Sequence, residues 1–156
     1  MTAETDTAPL DIRTMIVAAS GLLGWRLAGA LEAYGLGQAA TVDNAEAAFG
    51  LLCRETFDLV LLMHQPPHLD GVDLVRGLRA LPHPGSRDCH VVMIVEEAGA
   101  DLLEEMRRAG IDKVDVGGPS PTLLQIAIEG LRRHGRRPHG HWPAPQWLLD
   151  GDKALL

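Results

Sequence analysis

Two groups of side chains in this 156-residue chain have the types and the closeness that chemistry requires. His64, His68 and Asp70 lie near one another, and His83, Cys89 and His90 follow. Imidazole, thiolate and carboxylate are the usual ligands of a transition metal, but no pair here has the helix or knuckle spacing of a zinc site. Histidines are common in polar loops, so no metal is expected. The second group is Arg132, Arg133, Arg136 and Arg137, four of the fourteen basic residues in one short stretch. Guanidinium forks match phosphate oxygens and stack on purines, which makes this stretch a candidate anion site. The plainer reading is positive charge placed favourably at a helix C-terminus. With no phosphate-binding glycine motif, nucleophile elbow or paired catalytic carboxylates, no enzyme is expected.

The composition is that of one globular domain: 46% hydrophobic, 22% charged, with 17 Gly and 10 Pro but no low-complexity tract. A formal net charge of −7 opposes general attraction to phosphate backbones or anionic lipid, so no DNA partner is expected. Cys53 and Cys89 are too few for a disulfide framework, which fits a reducing, cytoplasmic setting. Residues 1–11 are polar and acidic, unlike a secretory signal, and are expected to be a disordered leader. No later apolar run approaches bilayer length, so no membrane insertion is expected.

The elements that must position these side chains alternate regularly. Thr14 to Ala19 reads as a strand buried on both faces. A helix with Leu23, Leu27, Leu31 and Tyr34 on one face follows, then a short strand over Ala39 to Val42. Asp43 and Glu46 suit a capping box before a helix carrying Phe49, Leu52 and Cys53. Leu59 to Met63 is the strongest strand signal; Leu74, Val75 and Leu78 mark the helix after it, with Asp70 as turn or N-cap residue. His90 to Val95, a helix with Leu102, Leu103 and Met106 ended by Ala109-Gly110, and Lys113 to Val116 repeat the pattern. Ser120-Pro121 suits the start of a last helix through Leu123, Leu124, Ile128 and Leu131. Five strand–helix units with short connections make an α/β domain, a parallel sheet with helices on both faces. The domain is expected over 12–134, with a tail over 135–156.

Phe57-Asp58-Leu59-Val60-Leu61-Leu62, then Pro67-His68-Leu69-Asp70-Gly71, then Ala109-Gly110 before the last strand, occur in an order and spacing that resembles the receiver domain of two-component response regulators. The resemblance runs from about Arg13 to Arg133. It implies a flavodoxin-like (βα)5 fold with strand order 2-1-3-4-5. It further implies phosphoryl transfer to an aspartate ending the third strand, an acidic pair after the first strand holding Mg²⁺, a hydroxyl residue after the fourth and a lysine after the fifth.

On this chain those positions fall on Ala18 and Ala19, Met63, Val95 and Gly117, with Gly118-Pro119 as the other register for the lysine. A thioether cannot become an acyl phosphate, and alanine has no oxygen for a hard cation. Asp58 starts the third strand, more than about a dozen ångströms from its far end at 3.3 Å per residue. The expected site is therefore a filled apolar pocket without cofactor, in a degenerate receiver that signals through protein contact. The resemblance points to the fourth helix, fifth strand and fifth helix as the docking face, for another signalling protein or a homodimer. The alternative is a sensor that binds a cyclic dinucleotide or other anion through the basic C-terminal segment. Trp25 lies opposite the apolar face of the first helix and is a candidate partner contact, as are Trp142 and Trp147 in the tail, which also contains an apolar Leu148-Leu149. Either tail tryptophan could instead cover the first helix.

Overall fold

The computed structural model describes residues 12–34, 39–82, 85–120, 125, 126, 128, 129 and 131, and the backbone of 148–150. The three most apolar runs become strands buried at every position: β1 (Thr14–Val17), β3 (Leu59–Met63) and β4 (His90–Val95). β2 (Ala40–Val42) and β5 (Lys113–Val116) flank them, less completely covered. All pairings are parallel, and the five strands run in the order β2-β1-β3-β4-β5 expected above.

The five-strand expectation needs one addition. Leu148–Asp150, within the presumed tail, forms β6 and pairs in parallel with β5 through Val114↔Leu148 and Val116↔Asp150. Three residues between a Pro-rich stretch and the chain end carry no strand periodicity of their own. Their pairing depends on the unfilled backbone groups at the edge of β5.

The strand order reverses after β2. Right-handed crossovers then put the helix between β1 and β2, α1 (Gly21–Ala33), on one face. α2 (Ala45–Arg54), α3 (Gly71–Arg79) and α4 (Ala100–Ala109) go on the other, and α3 touches both its neighbours. Leu27 and Leu31 of α1, Leu52 of α2, Val72, Leu74, Val75 and Leu78 of α3, and Met106 of α4 reach the core from the two sides. Residues 125, 126, 128, 129 and 131 are helical, with Ile128 and Leu131 buried; Leu123, Leu124 and Pro121 lie outside the described residues.

Local signals account for the helix ends. Ser20 caps α1 by accepting from the Leu23 N–H, and α4 stops where Gly110 turns to φ 95°. Tyr34 is the C-cap of α1 and 40% exposed, not a member of its buried face, because the helix ends one residue before it. The capping box expected from Asp43 and Glu46 is displaced by one residue. Asn44 is the N-cap of α2, and its Oδ1 accepts from the Ala47 N–H at 2.7 Å; the third helical position is then Ala47, which cannot reciprocate. Asn44→Ala is expected to cost about 1 kcal/mol in urea denaturation and Asp43→Ala much less, a difference that checks the assignment.

Candidate functional site

In a doubly wound sheet the crevice lies beyond the carboxyl ends of the strands where their order reverses, here between β1 and β3. The register states which residues meet there. Val17 pairs with Leu62, Met63 with Ile94 and Val95 with Val116, so Ala18, Met63, Val95 and Gly117 follow one another along the rim. Backbone bonds hold the row: Ala18 N–H donates to Val42 O, His64 N–H to Ile94 O and Gly117 N–H to Val95 O. Ala18, Met63 and Val95 are 1%, 7% and 5% exposed; Ala19 is exposed, and Gly117 turns the chain at φ 81°. What the row offers is a thioether and alkyl groups.

The β3–α3 loop next to this row is fastened at several points. Gln65 and Leu69 exchange two backbone hydrogen bonds, and Leu69 is fully buried. Asp70 is the N-cap of α3: its Oδ1 accepts from the Asp73 N–H at 3.0 Å, the structural role the spacing suggested. The buried His64 accepts the Gly71 N–H on Nδ1 at 3.0 Å, so its ring proton sits on Nε2. Burial holds the imidazole below its ordinary pKa, and the carboxylates of Asp70 and Glu105 oppose that only in part. His68 is exposed.

The β5 end of the rim is built around a carboxylate. Asp115 is fully buried, and its Oδ2 accepts the Ser120 N–H at 2.9 Å. A Cβ on Gly118 would collide with the Asp115 carboxylate. This loop therefore has no room for a lysine at Gly118, the second of the two registers considered above.

The histidines and carboxylates that looked clustered in sequence are separated by the sheet. His64 and Asp70 are at the carboxyl end of β3. Cys89 precedes β4 and His90 begins it, at the opposite end, both buried, with His90 Nδ1 3.6 Å from Asp112 Oδ1. His83 lies outside the described residues. Asp58 is also at that far end, where its Oδ2 accepts from the Arg13 N–H. Among the described residues no three His, Cys, Asp or Glu side chains are placed to hold a metal ion. Cys53 is exposed and Cys89 buried, and neither is joined in a disulfide. Trp25 is 73% exposed, as its position on α1 predicted. Arg132, Arg133, Arg136, Arg137, Trp142 and Trp147 lie outside the described residues.

Two of the engaged side chains carried no functional reading in the sequence: Asp115, and His64 in its role as an acceptor. The signal for Asp115 was visible, a carboxylate between two valines in the KVDV strand. For His64 there was none, because its partner is a backbone N–H.

No family model matches the chain. A search of curated proteins finds the autoinducer 2 sensor kinase/phosphatase LuxQ of Vibrio cholerae, 31% identical over 105 residues. The match takes 65% of this chain, which spans only 11% of that relative. Among solved structures, the signal receiver domain of a signal transduction histidine kinase from Syntrophus aciditrophicus aligns with TM-score 0.70 and 22% identity, over 85% of this chain and 98% of that one. A CheY-like response regulator receiver domain protein from Methanospirillum hungatei aligns with TM-score 0.69 and 20% identity, over 78% and 94%. The fold is thus the CheY-like receiver fold of two-component response regulators, as the order of motifs implied.

Proposed function

We propose that this chain is a signalling module on the receiver fold that works by protein contact and accepts no phosphoryl group. The observation that carries the reading is the row Ala18, Met63, Val95 and Gly117 at the carboxyl ends of four neighbouring strands. Acyl-phosphate formation needs a carboxylate nucleophile, oxygen ligands for a divalent cation and positive charge where negative charge develops. The four residues supply none of these. Asp70, the next carboxylate after β3, is occupied in capping α3. No cofactor follows from this arrangement.

The contact surface we assign is α1. Among the described residues the large exposed hydrophobics are Leu22, Trp25 and Tyr34, all on this helix or its C-cap. Leu22 is 67% exposed and Trp25 73%, and a tryptophan so exposed is a natural anchor for a partner protein. This departs from the face of fourth helix, fifth strand and fifth helix that the resemblance suggested, where the edge of β5 is paired with β6.

Incubation with acetyl phosphate and Mg²⁺, followed by intact-mass spectrometry beside a phosphorylatable receiver as positive control, tests the reading. The expected spectrum is unchanged. A hydroxylamine-sensitive phosphoryl adduct, the signature of an acyl phosphate, would overturn the proposal.

A further inference from the structure

The buried imidazole of His64, beside the rim, is engaged in a way that makes its protonation state matter. Gly71 is the first residue of α3, buried, and packed so tightly that an added Cβ would stand 2.7 Å from Met93 Cε and 3.1 Å from Leu62. Its N–H is one of the helix-start donors that the helix itself cannot satisfy, and the acceptor is His64 Nδ1 at 3.0 Å. That bond exists only while Nδ1 carries no proton. We propose that His64 and the first turn of α3 form a proton-operated latch: neutral His64 holds the Gly71 N–H, and protonated His64 releases it.

Three physical effects act together on protonation. Nδ1–H and the Gly71 N–H become two donors facing one another across a hydrogen-bond distance, leaving a buried amide without its acceptor. The new charge stands at the positive end of the α3 dipole. The charged groups whose field reaches the ring offer it another destination: Asp70 on the loop side, and Glu105 of α4, itself 3.5 Å from Arg76 of α3. Any turn of the imidazolium toward Asp70 draws on the carboxylate that caps the same helix through the Asp73 N–H. The N-terminus of α3 and the loop closed by Gln65 and Leu69 therefore loosen as a unit. His68, the loop's other imidazole, is exposed and has no part in the latch.

The direction of the pH effect follows from burial. The imidazole titrates in the folded chain below its value of 6.5 in the unfolded chain, so the stability it contributes is complete above pH 6.5 and is lost as pH falls from 6.5 to the folded value. The latch is a property of the β3–α3 loop and goes beyond the reading of the rim given above. Phosphorylation of the protein would leave it standing, and failure of the latch would leave that reading untouched.

NMR on the full chain between pH 8 and pH 5 tests it, with His64→Gln supplying an acceptor that does not titrate and His68→Gln as control. In the wild type and in His68→Gln, the His64 ring is expected in the Nε2–H form at pH 8, and the Gly71 amide shift is expected to follow the ring's titration with a midpoint below 6.5. The protection factor of the Gly71 amide should fall roughly tenfold across that step, the loss of about one hydrogen bond. In His64→Gln the amide should stay flat. An Nδ1–H tautomer at pH 8, a Gly71 amide indifferent to the ring's titration, or an unchanged pH response in His64→Gln would each overturn the proposal. The tautomer and amide readouts need only the wild type, so the test stands even if the variant folds poorly.

Discussion

Arg79→Ala is expected to lower the free energy of unfolding by about 3–5 kcal/mol, the usual cost of removing one partner from a buried ion pair. Arg79, in the last turn of α3, has its side chain 13% exposed and meets the 1% exposed Asp112 at 2.8 Å. Its guanidinium also donates to the carbonyls of Gly110, Arg87 and Cys89, so one planar group ties the end of α3 to the turns that precede β4 and β5. Asp112 Oδ2 in turn accepts the Val91 N–H at 2.7 Å, at the start of β4. Removing the cation leaves a desolvated carboxylate and three carbonyls that lose a charged donor. Since a domain of this size is stable by roughly 5–15 kcal/mol, the loss should be plain in the urea midpoint. Arg79→Met combined with Asp112→Asn should recover part of it, because the second change removes the buried charge while keeping an acceptor for Val91. A double-mutant cycle measures that coupling.

Met63→Asp, which places a carboxylate at the position the resemblance assigns to an acceptor, is expected to destabilise the protein by roughly 2–4 kcal/mol at pH 7 and to create no phosphorylation site. Met63 is 7% exposed, and the residues beside it on the rim are alkyl. No oxygen ligands from Ala18 or Ala19 would hold a cation to balance the charge. Burial raises the carboxyl's pKa above the unfolded value of about 3.9, so the part of the cost that comes from ionisation is absent at acid pH and grows as pH rises from there to the folded value. Urea denaturation of variant and wild type at matched pH values reads this difference, and Met63→Leu, close in volume, should cost under about 1.5 kcal/mol at every pH. With acetyl phosphate and Mg²⁺ the variant's mass should not change.

Both predictions rest on environments rather than on residue types, and that distinction separates what could be read early from what could not. LVLLM and HVVMIV could be nothing but strands buried on two faces, since such runs leave no side for water. That Ala18, Met63, Val95 and Gly117 carry no carboxylate, hydroxyl or amine was equally legible, because it is a statement about side-chain identity. Asp70 as a cap was legible too, being a contact over three residues.

The sequence by itself therefore determined the alternation of elements, the parallel sheet and the side-chain types at Ala18, Met63, Val95 and Gly117. Only the tertiary structure decided that Arg79 reaches Asp112 across 33 residues, that Asp115 shapes the loop at Gly118, that His64 serves a helix start, and that Leu148–Asp150 adds a strand beside β5. The physical reason is common to all four. A polar side chain in a chain of letters has many candidate partners. Which one it meets is set by strand register and helix placement, which are themselves products of burying the apolar runs.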